Sequence, residues 1–418
     1  MNRMTRTIVV GAGMTGLATA WYLQEYGHDV EVLERIDVAA GSSWGNAGWL
    51  APGKTIPLSN SSLWAYGPTA LFDKHAALDV PVRVDPKLWR FVANFMAHAT
   101  DRAWDKTMAG LTKADIAALA AFDELEAGGV EASSHEGPFI IGFESEKQAG
   151  GFLKEVEGAI RHGQDVPFEQ ISLESARELA PILTDKVGAI YKMGGQRFIE
   201  PGPYCRAIAD SIVERGGKVT TGVEVVEVRS TRKPAVKLAT GDWLSADNVV
   251  LATGAWLPKL ARDLGVTTMV QAGRGYSFSV ETDEPVTCPV YLPDPKIACT
   301  PYQGRFRVAG TMEFRGPDEP FQPGRVDSMI HATKPFFKGV NWEDRQDEWV
   351  GSRPVTPDGL PLVGATKVPN VYTNGGHGMW GIILGPLSGK MLAKQIETGE
   401  VDETIAPFDP LRGPFGGI

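Results

Sequence analysis

Thr7-Ile8-Val9-Val10 is a short, apolar, β-branched run, as expected of a strand buried on both faces in a parallel sheet. Gly11-Ala12-Gly13-Met14-Thr15-Gly16 follows it. The apolar stretch from Leu17 to Tyr26 then reads as a helix closed by Gly27. Asp29 to Glu34 predicts a second strand, which completes a βαβ start. The Gly- and Ser-rich segment Gly41 to Leu50 and the Pro-punctuated stretch from Pro57 to Pro86 read as irregular. Asp85-Pro86 opens a predicted helix with Trp89, Val92, Phe95 and Met96 along one face, a stripe that belongs against a core. Ala114 to Glu126 predicts another helix. Phe139 to Phe143 begins strand-rich territory. It resumes at Tyr276 to Val280, Val290 to Leu292, Ile297 to Thr300 and Phe306 to Ala309, and the close spacing of these runs predicts antiparallel pairing.

Between the strand-rich regions the α/β pattern returns. Pro203 to Arg215 predicts a helix, Lys218 to Val228 reads as strand-like, and Asn248 to Leu251 is a strand ending at Ala252-Thr253-Gly254. A last helix is predicted from about Met379 to Gln395, and the tail from Arg412 to Ile418 reads as loop. The pattern predicts an α/β fold: an interrupted Rossmann-type module with an inserted α+β unit built on an antiparallel sheet. At 418 residues the chain is long enough for two or three such modules.

Composition narrows the function classes. Apolar residues make up 43% of the chain and charged residues 22%, a globular profile, and the net charge of −10 argues against a nucleic-acid partner. The three cysteines, Cys205, Cys288 and Cys299, have no metal-ligand spacing and suggest a reducing, cytoplasmic setting. Arg3 and Arg6 ahead of an apolar run resemble a signal peptide, but the regularly spaced glycines mark a folded strand–turn–helix. No run reaches the ~18 apolar residues of a spanning helix. Peripheral contact with the inner face of a membrane stays open. The seven histidines and the serines form no triad or metal spacing.

Gly11, Gly13 and Gly16 form a GxGxxG fingerprint. The first glycine permits a tight turn, the second admits backbone next to a pyrophosphate, and the third lets helix pack on strand. The helix N-terminus, with Met14 and Thr15, offers free N–H groups to phosphate. Glu34, at the end of the second strand, is placed to accept from ribose hydroxyls. The fingerprint does not separate FAD from NAD. A second glycine cluster, Asn374-Gly375-Gly376-His377-Gly378-Met379-Trp380-Gly381-Ile382, precedes the last helix and suits the pyrimidine edge of a flavin.

With these motifs the chain resembles the D-amino-acid oxidase/dehydrogenase family of FAD-dependent oxidoreductases, nearest in pattern to the small-subunit type of bacterial D-amino-acid dehydrogenase, with glycine and sarcosine oxidases as further relatives. Five stretches carry the resemblance. They are the fingerprint with Glu34-Arg35, Gly41 to Gly48, Val249 to Trp256, Trp349 to Gly364 (WVGSRPVTPDGLPLVG) and Gly376 to Ile382 (GHGMWGI). The resemblance implies that Glu34 and Arg35 hold the adenosine end of FAD and that Val225 meets adenine. It implies that Ser42, Ser43, Asn46, Ala47 and Gly48 pass along the pyrophosphate and ring. Thr253, Gly254 and Trp256 would close the site, and Gly376, His377, Gly378, Met379, Gly381 and Ile382 would embrace the ring. Residues 1–80, 196–265 and 348–418 would form the FAD-binding domain, and 81–195 and 266–347 the substrate-binding domain.

Arg353, in its RP-x-TPDG context, is the candidate anchor for a substrate carboxylate, because a guanidinium fork binds carboxylate bidentately. The resemblance adds Tyr276, in a Gly-Tyr segment, and Tyr302, which stands where glycine and D-amino-acid oxidases carry an arginine. His377 is expected to contact flavin. The implied reaction is oxidative deamination of an amino acid, expected to be a D-amino acid. Hydride passes from Cα to flavin N5 without an obligate side-chain base, and the imine hydrolyses to a 2-oxo acid. Oxidation of a secondary amine and a low-turnover flavin-binding role are the alternatives. A nicotinamide dehydrogenase is disfavoured by the second glycine cluster. The partners expected are a small amino-acid substrate and an electron acceptor (oxygen, a quinone or a carrier protein) that the sequence leaves open.

Overall fold

The computed structural model describes residues 4–64, 77–230 and 232–415. Its first sheet has six strands in the order Lys218–Thr220, Asp29–Leu33, Arg6–Val10, Asn248–Leu251, Val371–Gly375 and Leu362–Ala365. The first five pair in parallel and the last pairs antiparallel. Alternation along the central strand feeds two cores. Val9 faces the helices Met14–Glu25, Pro201–Glu214 and Leu384–Thr398. Ile8 and Val10 face a three-stranded antiparallel sheet (Val225–Ser230, Pro234–Leu238, Trp243–Ser245) and the short helix Leu257–Ala261. Gly389 lets the last helix lie against the first, since a Cβ there would sit 2.7 Å from Thr19 N.

The second large sheet runs in the order Gln346–Val355, Gln271–Val280, Arg305–Phe314, Ile297–Tyr302, Val290–Leu292, Phe139–Phe143, Ala189–Met193 and Phe168–Ile171. Leu78–Asp79 is added alongside Arg305–Phe314. The predicted antiparallel pairing holds through most of it. The pairings of Val290 with Ile140 and of Met312 with Leu78 are parallel. The α/β architecture with an added antiparallel sheet is as expected.

Four local readings change. The strand-like stretch from Lys218 to Val228 is two strands in different sheets, broken at Gly222, whose φ of +72° no strand tolerates. The helix Pro86–Ala97, capped by Asp85, buries Leu88, Phe91 and Phe95, while Trp89, Val92 and Met96 flank that stripe half-buried. The helix predicted from Ala114 starts at Asp101, where Thr100 Oγ1 accepts from Ala103 N and fixes its N-terminus. The last helix begins at Leu384, so the glycine cluster before it is a turn. Within the Pro-punctuated stretch from Pro57 to Pro86, residues 65–76 lie outside the described residues.

Candidate active site

The carboxyl ends of Arg6–Val10, Asp29–Leu33 and Asn248–Leu251 open into a cavity of about 420 Å³ that reaches the edge of the large sheet. The fingerprint glycines are fixed by close approach. Gly11 has φ +111°, and a Cβ there would lie 2.4 Å from Ala252 O. A Cβ at Gly16 would lie 2.0 Å from Gly11 O. Gly13 caps the first helix from the cavity side, and Met14 N donates to Ser43 Oγ at 3.2 Å, drawing the 41–48 loop onto the helix N-terminus.

At one end of the cavity Glu34 accepts from Ala12 N (2.9 Å) and Ile36 N (3.0 Å). Val225 lines the same end. The Arg35 guanidinium stacks 4.0 Å from the Trp256 ring centroid. Asp318, from the loop after the Arg305–Phe314 strand, accepts from Trp256 Nε1 (2.9 Å) and from Arg35 Nη2 (3.3 Å). Sequence reasoning missed Asp318, since nothing local in Gly316-Pro317-Asp318 reports a contact across the cavity.

The 41–48 loop is held from behind. Ser42, Ser43 and Asn46 line the cavity. Ala47 turns its carbonyl to Thr300 Oγ1 (2.7 Å), and Gly48, with φ +75°, packs where a Cβ would lie 2.0 Å from Ile199 O. On the far side Thr253, Gly254, His377, Gly378, Met379, Gly381 and Ile382 line the cavity. Gly376 lies behind them with φ +71°, against Leu362 and Thr356. Ser388 Oγ donates to Gly385 O (3.0 Å), so its oxygen accepts from His377 Nε2 (3.1 Å) and leaves Nδ1 as a buried acceptor with no partner among the described residues. Burial pushes the imidazole down to about 3, so it is neutral at pH 7.

Arg353 also lines the cavity. Its Nη1 donates to Thr311 O at 2.8 Å, and it has no ion pair with a described residue. Burial pushes the guanidinium down to about 10 with no carboxylate to offset it, so it stays charged at neutral pH. Tyr276 and Tyr302 fall outside the cavity lining. Tyr276 is fully buried and donates to Glu313 Oε1 (2.5 Å), a carboxylate also paired with Arg274 and Arg315. Tyr302 lies under the Arg307 guanidinium, 3.4 Å from its ring centroid. Arg305 is tied to Glu281 and Asp344 away from the cavity.

Residues 6–395 match the model of the family described as "FAD dependent oxidoreductase". The chain belongs to this family. Among its curated relatives are the D-amino acid dehydrogenase of Azorhizobium caulinodans, 30% identical over 97% of this chain and 99% of that protein, and the D-amino acid dehydrogenase of Xanthobacter autotrophicus, 31% identical over 94% and 95%. Glycine oxidase from Geobacillus kaustophilus shares the fold, with a TM-score of 0.74, 21% identity, and 98% and 99% of the two chains covered. L-proline dehydrogenase from P. horikoshii does so with a TM-score of 0.67, 18% identity, and 99% and 98% covered.

The cofactor of this FAD-dependent oxidoreductase is FAD, and the residues present fit it. The Gly11–Gly16 turn presents a helix N-terminus to the cavity, Glu34 stands at the strand end, and two buried polar atoms on the lining, Thr253 Oγ1 and His377 Nδ1, have no partner among the described residues. No metal-binding group of His, Cys, Asp and Glu occurs among the described residues, and no described helix is long and apolar enough to cross a membrane.

Proposed function

We propose that this enzyme oxidises the Cα–N bond of an amino acid, with a D-amino acid as the substrate, to an imine that water converts to a 2-oxo acid. The relatives named D-amino acid dehydrogenase support the substrate class. The observation that carries the reading is Arg353, a half-buried guanidinium on the cavity wall that donates to the Thr311 carbonyl and has no ion pair with a described residue. A cation on a cavity wall with no carboxylate to offset it favours an anionic ligand.

Bound FAD supplies the two-electron acceptor. Glu34, Arg35 and Val225 hold its adenosine end. Gly11, Gly13 and the 41–46 loop hold its pyrophosphate, and the turn from His377 to Ile382 borders its ring. Arg353 holds the substrate carboxylate and so fixes where Cα stands, which converts binding into orientation. Besides Arg353 and neutral His377 the cavity lining carries Glu34, Arg35, Glu224, Lys259 and Asp318. We assign none of them as a side-chain base; the substrate reacts with its amine already deprotonated. Tyr276 and Tyr302 support the sheet behind the site. We assign residues 1–80, 196–265 and 348–418 to the cofactor-binding domain and 81–195 and 266–347 to the substrate-binding domain, and place the enzyme in the cytoplasm or against the inner face of a membrane, passing electrons to oxygen, a quinone or a carrier protein.

An anaerobic screen of D-, L- and N-methyl amino acids, read by loss of the oxidised-flavin absorbance, tests this reading. Bleaching by primary D-amino acids supports it. Bleaching confined to N-methyl substrates moves the reaction to secondary amines, and failure of every amino acid to bleach the flavin leaves a binding protein.

A further inference from the structure

We infer that Gly275 and the backbone of Thr311 form a slot that sets the Arg353 guanidinium in place, and that these two are positioning residues for carboxylate recognition. The inference rests on the reading of Arg353 as carboxylate anchor. In the large sheet Gly273 pairs with Arg353 and Gly275 with Gly351. Side chains at these positions share one face of the sheet, because residues two apart on a strand point the same way. Three of the four are glycine, which leaves room for side chains to lie across the strands: the Trp349 indole lies over Gly351, Val355 over Gly273, and the Arg353 side chain folds back diagonally to Gly275. A Cβ at Gly275 would stand 2.1 Å from Arg353 Cζ, 2.1 Å from Nη2 and 2.2 Å from Nη1. The guanidinium occupies the volume that any other residue at 275 would fill.

The second wall is a β-bulge. Arg274 pairs with Glu313 and Tyr276 with Gly310, so Gly275 faces the two residues Thr311 and Met312. Thr311 takes up the extra length at φ +56°, a conformation that a β-branched residue rarely adopts. Strain of this kind persists where the surroundings enforce it. Here it turns the Thr311 carbonyl toward the guanidinium, which donates to it from Nη1 at 2.8 Å. One side of the fork is thereby tied down, and Nη2 and Nε have no hydrogen-bond partner among the described residues. Pinning a planar fork removes rotamer freedom before substrate arrives.

The test uses the holoenzyme of the parent and of Gly275→Ala, Thr311→Gly, Arg353→Ala and the double variant Gly275→Ala/Arg353→Ala. The readout is the second-order rate of anaerobic flavin reduction by the D-amino acids of the screen and by their decarboxylated amines. The atoms in the way at 275 are the end of a flexible side chain, so the added methyl displaces the guanidinium rather than the fold, which thermal unfolding of each variant checks. A displacement of this size costs about 10²-fold. Gly275→Ala is expected to lose about that much with amino acids and little with the amines, and to cost nothing further once Arg353 is Ala. Thr311→Gly keeps the carbonyl and relieves the strained φ, so it should discriminate carboxylates like the parent. The slot is overturned if Arg353→Ala is selectively impaired while Gly275→Ala behaves like the parent, if Gly275→Ala still costs about 10²-fold beside Arg353→Ala, or if Thr311→Gly loses the discrimination. If Arg353→Ala slows amino acids and amines alike, the anchor reading itself fails, a result separable from the others.

Discussion

Arg307 Nη1 donates to the carbonyl of Trp44 at 3.0 Å and, at 3.4 Å, to that of Asn46. Ser277 Oγ holds the carbonyl between them, Gly45 O, at 2.7 Å, and Thr300 Oγ1 holds Ala47 O at 2.7 Å. Four consecutive carbonyls of the loop that brings Ser42, Ser43 and Asn46 to the cavity are thus bonded to three buried side chains of the large sheet. The large sheet thus sets the shape of a loop on the cavity wall.

Arg307→Met keeps bulk and removes the donors. A hydrogen bond from a charged group is worth roughly 1.5–3 kcal/mol, so FAD affinity should fall by about 10- to 100-fold. Thr300→Val removes one neutral bond of about 0.5–1.5 kcal/mol and should cost about 2- to 10-fold. Titration of the apoprotein with FAD, followed by flavin fluorescence, measures both. Parent-like affinity in Arg307→Met would show that the loop holds its shape without the guanidinium.

Glu34 already accepts from Ala12 N and Ile36 N and has lone pairs to spare for ribose hydroxyls. Glu34→Ala removes all of these bonds and should weaken FAD by about 10- to 100-fold. Glu34→Gln turns an NH2 group toward one of two backbone N–H donors, so it too should bind FAD less tightly. An unchanged dissociation constant in either variant would remove Glu34 from the cofactor site.

Asp115 is fully buried, and burial pushes its carboxyl well above the ordinary 3.8, against a smaller opposing effect from the Gln164 side-chain amide. Gln164 Nε2 donates to Oδ2 at 2.7 Å, while Oδ1 has no partner among the described residues. A carboxyl raised in the folded state favours folding at pH below its unfolded value and loses that contribution as pH rises through its folded value. At neutral pH Asp115 is therefore a liability. Asp115→Asn keeps an acceptor for Gln164 and should stabilise the protein by about 1–3 kcal/mol at pH 7, with a smaller gain near pH 4. Denaturant unfolding at the two pH values decides it; equal or negative changes at both would contradict the assignment.

The parts of the site that the sequence made legible are those in which neighbours along the chain do the work. Gly11, Gly13 and Gly16 are diagnostic because strand, turn and helix are contiguous, and Glu34 follows from the length of one βαβ unit. The Arg353 context is visible for the same reason, as is the glycine cluster before the last helix, although the helix itself starts at Leu384 and not near Met379. The parts that were not legible depend on pairing between distant strands. Nothing near Thr311 announces a bulge, which exists through its register against Arg274 and Tyr276. Arg307 reads as one of three charges on its strand, with Arg305 and Glu313, but it is 1% exposed and reaches a loop some 260 residues earlier. Tyr276 looked like a substrate contact from its motif, whereas the carboxylate it meets, Glu313, lies on the next strand of the sheet. The run from Lys218 to Val228 looked continuous because periodicity carries no information about which sheet a strand joins.

The central claim is that Arg353 grips a substrate carboxylate, and the most direct measurement of it is flavin reduction by Arg353→Ala, with each amino acid compared with its decarboxylated amine. Loss of a buried charged pair costs on the order of 2–5 kcal/mol, so the second-order rate with amino acids should fall by roughly 30- to 5,000-fold. Arg353→Lys, which keeps the charge and loses the fork, should fall less far but clearly. The amines should react poorly with the parent and lose little on mutation, with FAD affinity unchanged. An equal proportional loss for amino acids and amines would contradict the account and make Arg353 a structural residue.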